Sequence, residues 1–158
     1  MKQTAGIIVL CEDRVLLCKR SDSGEWAIPM GHMEEGEEPV DCAYREFYEE
    51  TNLEITDPIE SIGRIKKNKN GKLKSILHIF LFEVDSEVEP NLEDAQDGHE
   101  HTECGYFDIE EIEDLDMEES LKKFIFKIFS WFCLSSDIFI LTFVKDLTPI
   151  GDERYSES

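Results

Sequence analysis

The sequence predicts an α/β fold, and three observations carry that expectation. Residues 4–11, "TAGIIVLC", form an unbroken apolar run of strand length, the pattern of a buried strand. From Pro39 to Thr51, Val40, Ala43, Tyr44, Phe47 and Thr51 recur at helical spacing and define one core face. "IESIGRIKK" and "KLKSILHIFLFEV" flank "NKNG", whose Asn-Gly pair is a strong two-residue hairpin signal.

Each element follows in turn. An "EDR" turn leads from the first strand into a second, "VLLCKR", at 15–20. "SDSGEW" reads as a loop, and "WAIP" as a short extended piece ending at Pro29. Pro39 suits the first helical turn, where its missing N–H costs nothing. Asn52 suits a left-handed C-cap. After the hairpin, the polar stretch from Asp85 to His101 reads as a long loop. Asp108 with Glu111, and Asp116 with Glu119, have capping-box spacing. The second pair opens a helix over 117–134, with Leu121, Phe124, Ile125, Ile128 and Phe132 on its apolar face. "DIFILTFV" at 137–144 reads as a further strand and "GDERYSES" as a frayed tail. The division expected is a domain at 1–136 and an extension at 137–158.

The formal charge of −21 sets limits on partners. A nucleic acid held by its phosphates would meet repulsion on nearly every face, so none is expected. A phosphate-bearing small molecule would need a bridging cation. Five cysteines without a CxxC pair fit reduced thiols in a cytoplasmic protein. The opening apolar run is too short for a signal peptide. Lys127 and the "SSD" at 135–137 interrupt the apolar stretch 124–144, so no membrane span is expected.

The chemistry is concentrated at 31–53, "GHMEEGEEPVDCAYREFYEETNL". Eight acidic side chains crowd there against one base, Arg45. Glu46, Glu49 and Glu50, at i, i+3 and i+4, fall within roughly 100° of one another on a helix. Three carboxylates sharing a volume suit a hard cation such as Mg²⁺. Arg45 stands four residues before Glu49 and can orient it. Spacing alone leaves a solvated acidic helix face equally open.

The stretch also resembles the Nudix box of the Nudix hydrolase family. That box is Gly, five residues, Glu, seven residues, then Arg-Glu-apolar-x-Glu-Glu-x-Gly-apolar. Gly31, Glu37, Arg45, Glu46, Phe47, Glu49, Glu50 and Leu53 occupy its places. Asn52 replaces the last glycine, and Asn tolerates a positive φ next best. Met30 stands where many members have glycine. "SGEWAIPMGHMEEGE" before the box and "EHTECGYFDIEEI" at 100–112 extend the likeness over most of 4–134.

The resemblance implies a Nudix-type α/β/α sandwich with a mixed β-sheet between helices. It implies hydrolysis of a nucleoside diphosphate derivative by water attack on phosphorus, with Mg²⁺ or Mn²⁺ as cofactor. Glu46, Glu49, Glu50 and the Gly31 carbonyl would hold metal, with Glu100 and Glu34 as further candidates from regions that supply ligands in relatives. The general base would be one of Glu46, Glu49, Glu100 and Glu103, with Arg45 orienting the group. Glu37 would hold the loop-helix geometry. Arg20 and Trp26, with Glu34, stand as substrate-side residues, Trp26 serving equally as a core aromatic.

Other features lead elsewhere. His99, His101 and Cys104 suggest zinc but lack a companion cluster. The lysines at 66–74 read as a solvated hairpin. Subfamily markers after the box are missing, since Asn68, Lys69 and Asn70 stand where proline or tyrosine would, so the substrate among nucleoside triphosphates, nucleotide sugars and dinucleotides is not readable. A non-catalytic nucleotide sensor is the alternative, although every box carboxylate survives. The wide apolar face of the 117–134 helix and the lone strand at 137–144 predict a homodimer.

Overall fold

The computed structural model describes residues 1–133 and a two-residue strand at 156–157. The elements are β1 (Lys2–Cys11), β2 (Arg14–Arg20), β3 (Trp26–Ala27), β4 (Met30–His32), α1 (Pro39–Thr51), β5 (Glu60–Lys69), β6 (Lys72–Val84), β7 (His101–Phe107), α2 (Ile109–Glu113), α3 (Glu119–Cys133) and β8 (Ser156–Glu157). They form one mixed sheet in the order β3-β2-β1-β6-β5-β8, with β4 also on β1 and β7 on β2.

β1 runs through the middle, parallel to β6 from Lys2↔Ser75 to Cys11↔Val84. Its alternate residues face opposite layers, which is why its apolar run is unbroken. Ala5, Ile7 and Val9 pack with Cys42, Ala43 and Phe47 of α1. Ile8 and Leu10 pack with Leu121, Phe124, Ile125 and Ile128 of α3. The expected α/β/α sandwich is present.

Local signals account for most boundaries. α1 covers Pro39–Thr51, with proline in its first turn and Asn52 at φ 59° closing it in the left-handed region. The β5–β6 turn has Asn70 at φ 55° and Gly71 at φ 73°, the pair of positive angles a tight hairpin turn needs. At α2, Asp108 and Glu111 make the reciprocal capping box.

Several expectations need correction. Asp116 does not cap the last helix, because its carbonyl accepts from the Trp26 N–H and Met117 bridges to Trp26. α3 therefore starts two residues later, with the Glu118 carbonyl accepting the Lys122 N–H. The long loop ends at Glu100, and His101–Phe107 becomes β7, because β2 offers it a free edge. Cys18 and Cys104, opposite one another in the β2–β7 register, form a disulfide, so the expectation of five reduced thiols fails at that pair. Cys11 and Cys42 are free and buried.

The apolar face of α3 is used within the chain. Leu121, Phe124, Ile125, Ile128 and Phe129 are buried on the sheet, with Phe126 and Trp131 packed beside them. Among the described residues, this apolar face covers the sheet of its own chain. The strand expected at 137–144 lies outside the described residues. Two residues of the tail expected to fray, Ser156 and Glu157, pair in parallel with Lys66 and Lys67 of β5. Among the described residues no helix is long and apolar enough to cross a membrane.

Candidate active site

The site forms where the N-terminal half of β1 meets β4 and α1. Antiparallel pairing sets Ala5 against Gly31 and Gly6 against Met30. Crowding requires glycine at Gly6, and at Gly31 a side chain would displace the Glu46 carboxylate. A Cβ on Gly31 would overlap the Glu46 carboxylate, and one on Gly6 would come within 2.6 Å of the Met30 Cβ. The box glycine is thus what lets a helix carboxylate lie against the strand backbone. The Gly31 carbonyl accepts the Cys42 thiol at 3.5 Å.

Arg45 organises the loop and helix. Its Nε and Nη2 donate to Glu37 at 2.8 and 2.9 Å, and Nη2 also donates to the His32 carbonyl. Nη1 donates to Glu46 at 2.9 Å and to Glu49 at 3.1 Å. Glu37 in turn accepts the Glu34 backbone N–H, tying the loop shut. Hydrogen bonds from Arg45 hold the Glu37 carboxyl down at about 2. Arg45 thus contacts Glu49, and Glu37 joins Arg45 to the loop backbone at Glu34.

Glu50 differs from its neighbours in being 1% exposed. Its Oε2 accepts the Met30 N–H at 2.9 Å, and Oε1 faces His101 Nε2 at 3.9 Å. Burial, then the charge of Glu46, pushes its carboxyl well above the ordinary range. Burial raises Glu46 too, against the pull of Arg45. Glu46 and Glu50 stand one turn apart on α1; the charge of Glu46 raises Glu50, that of Glu49 raises Glu46, and Glu100 adds negative charge to both.

A cavity of about 520 Å³ opens beside them, lined by Gly31, Glu46, Glu100, Arg20 and Trp26 among others. Its apolar side carries Leu77 and Leu121, and Lys2 and Glu118 stand on it as well. Trp26 lines this cavity while packing edge-on against Phe107 at 4.9 Å. Arg20 also lines it, with its guanidinium held by both oxygens of Asp22 at 2.9 and 3.0 Å. Glu49, Glu34, Glu50 and Glu103 do not line it. Glu49 sits at the Arg45 contact, and the side chain of Glu34 is 70% exposed. Glu103 is exposed on β7, across from Lys19.

The donor set is hard oxygen throughout, and two half-buried or buried carboxylates repel each other with Arg45 touching only one. That fits a divalent cation. Among the described residues no three Asp, Glu, His or Cys groups stand as a ready cage.

Two features escaped the sequence. The loop before β7 is stitched to the C-terminal end of α1, where the free carbonyls of Glu49 and Thr51 accept from the Gln96 and Asn91 N–H groups. Asp97 and His101 thereby reach the back of Glu50, with His101 Nδ1 at 3.1 Å from Asp97 Oδ2. The i, i+4 spacing of Asp97 and His101 was visible, but nothing in it pointed to Glu50.

Known proteins place this arrangement. The family model of the NUDIX domain matches residues 1–132. A Nudix hydrolase of Bacillus subtilis, YvcI, is 26% identical over 118 residues, 74% of this chain and 72% of its own. An RNA pyrophosphohydrolase of Psychrobacter is 40% identical over 53 residues, 33% of this chain and 31% of its own. The crystal structure of a C. elegans Ap4A hydrolase superposes with a TM-score of 0.69 at 19% identity, covering 84% of this chain and 98% of that one. That last likeness shows the fold. With box, sheet order and family model in agreement over 1–132, the chain belongs to the Nudix family.

Proposed function

We propose that this protein is a Mg²⁺- or Mn²⁺-dependent pyrophosphohydrolase acting on a nucleoside diphosphate derivative: a nucleoside triphosphate, a nucleotide sugar or a dinucleotide. The observation that carries the reading is the buried Glu50 with half-buried Glu46 one turn away, Glu46 lying against Gly31 on the wall of a partly apolar cavity. A buried carboxylate without a counter-ion is costly, and it persists where a cation completes the site.

Glu46, Glu49, Glu50 and the Gly31 carbonyl would hold the metal, with Glu100 approaching from the loop. A bound divalent cation would neutralise phosphate charge and lower the pKa of an attacking water. Arg45 fixes the outer carboxylates by hydrogen bonds and keeps the loop folded over the helix start. Arg20 supplies positive charge on the cavity wall for a phosphate, and Trp26 a flat apolar face for the remainder of the substrate. Of the four candidate bases, Glu46 and Glu100 line the cavity, which favours them over Glu49 and Glu103. The RNA pyrophosphohydrolase among the relatives supports the class of bond cleaved.

The test is turnover of a nucleotide panel with Mg²⁺, read as phosphate or pyrophosphate release. Activity abolished by chelator and restored by Mg²⁺ or Mn²⁺ is expected. Nucleotide binding without turnover on any member would overturn the enzyme in favour of the sensor module. For the base, raised Mn²⁺ should leave Glu100→Gln inactive while partly restoring Glu50→Gln. The opposite pattern refutes the assignment.

A further inference from the structure

We propose that Asp97 and His101 are positioning residues for Glu50, a buried pair that holds this carboxylate in place from behind and couples it to the loop carrying Glu100; the proposal rests on the metal-site reading above.

The three side chains are 5%, 2% and 1% exposed for Asp97, His101 and Glu50, so water does not compete for their contacts. Asp97 offers His101 only acceptor oxygens, which assigns the proton of the shared bond to Nδ1 and leaves Nε2 as the atom presented to Glu50. At 3.9 Å that approach is longer than a hydrogen bond and sets the ring edge of His101 beside the carboxylate. The other oxygen of Glu50 is already fixed by the Met30 N–H. One oxygen is thus hydrogen-bonded and the other stands against the His101 ring edge, which limits rotation of the carboxylate on that side.

The backbone between the pair is bent to allow this. Gly98 at φ 71° and His99 at φ 65° are both left-handed, an uncommon setting for a histidine. The His99 N–H donates to Asp97 Oδ1, closing the turn. The Gln96 N–H donates to the Glu49 carbonyl, and the Glu100 carbonyl accepts from the Ser21 N–H. The turn is therefore anchored on α1 and on the loop after β2, with Glu100 between the anchors on the cavity wall. Partners that orient a carboxylate ligand from outside typically change metal affinity 10- to 100-fold when removed.

The test is direct Mn²⁺ binding to the full chain without substrate, by electron paramagnetic resonance, beside circular dichroism and melting. His101→Ala and Asp97→Ala should each weaken Mn²⁺ about tenfold or more. His101→Gln, whose amide nitrogen can stand near Nε2, should recover most of the loss. In a double-mutant cycle the Asp97 change should cost much less once His101 is alanine, because the pair acts as a unit. A merely structural role would lower the melting point and leave the Mn²⁺ constant of the folded fraction alone. Should the alanine variants fold poorly, His101→Gln and Asp97→Asn give the same comparison. Folded variants binding within twofold of wild type overturn the positioning role and leave the metal site standing. A wild-type chain that does not bind Mn²⁺ overturns the metal site and this inference with it.

Discussion

Replacing Glu37 with Gln tests the clamp that holds the acidic loop on its helix. Glu37 accepts three hydrogen bonds, two from Arg45 and one from the Glu34 N–H. They lower its carboxyl from the ordinary 4.5 to about 2. At 1.36 kcal/mol per pH unit that corresponds to about 3 kcal/mol as an upper bound. The side chain is 13% exposed, but the Arg45 guanidinium that covers it is itself 24% exposed. Solvent screening therefore reduces the figure, to about 1.5 kcal/mol. The amide keeps one acceptor, and Arg45 keeps Glu46 and Glu49, so the loss is partial. The sign follows from the direction of the shift. A carboxyl lowered on folding contributes fully above its unfolded pKa and loses that contribution as pH falls toward the folded one. Urea unfolding of both proteins should differ by about 1.5 kcal/mol at pH 7. The gap should narrow below about pH 4.5 and close toward pH 2. A gap under about 0.5 kcal/mol at pH 7, or one constant with pH, refutes the clamp.

Glu50→Gln should lower kcat at least about 100-fold, about 2.7 kcal/mol of barrier, while leaving the metal-free protein as stable as wild type or more so, because a buried charge is removed; wild-type turnover in the variant, or in excess chelator, refutes the metal assignment. The Cys18–Cys104 bridge spans 86 residues, so reducing it should cost about 4–5 kcal/mol on the chain-entropy account. Melting with and without dithiothreitol, with Cys104→Ser as control, checks this, and a melting point insensitive to both refutes a bridge in solution. Sedimentation equilibrium on the full chain and on a chain ending at Ser136 tests the dimer proposed from 137–144. A full-length monomer that is soluble and active refutes it.

The sequence by itself determined whatever local chemistry dictates. Pro39 and Asn52 marked both ends of α1, Asn70-Gly71 the hairpin, and Asp108 with Glu111 a capping box, because each acts through atoms a few residues away. The box residues were legible for the same reason, since a helix converts spacing into a shared face. What needed the tertiary structure was every partner brought from a distance. β7 became a strand because β2 had an edge to fill, and Asp116 lost its capping role to the Trp26 N–H. Cys18 met Cys104 only through the strand register. The burial of Glu50, which separates it from Glu46 and Glu49 at equal spacing, depended on Met30 from β4 and on His101 from β7. Helical periodicity says which residues share a side of α1, but only the packed neighbours decide which of those carboxylates loses its water.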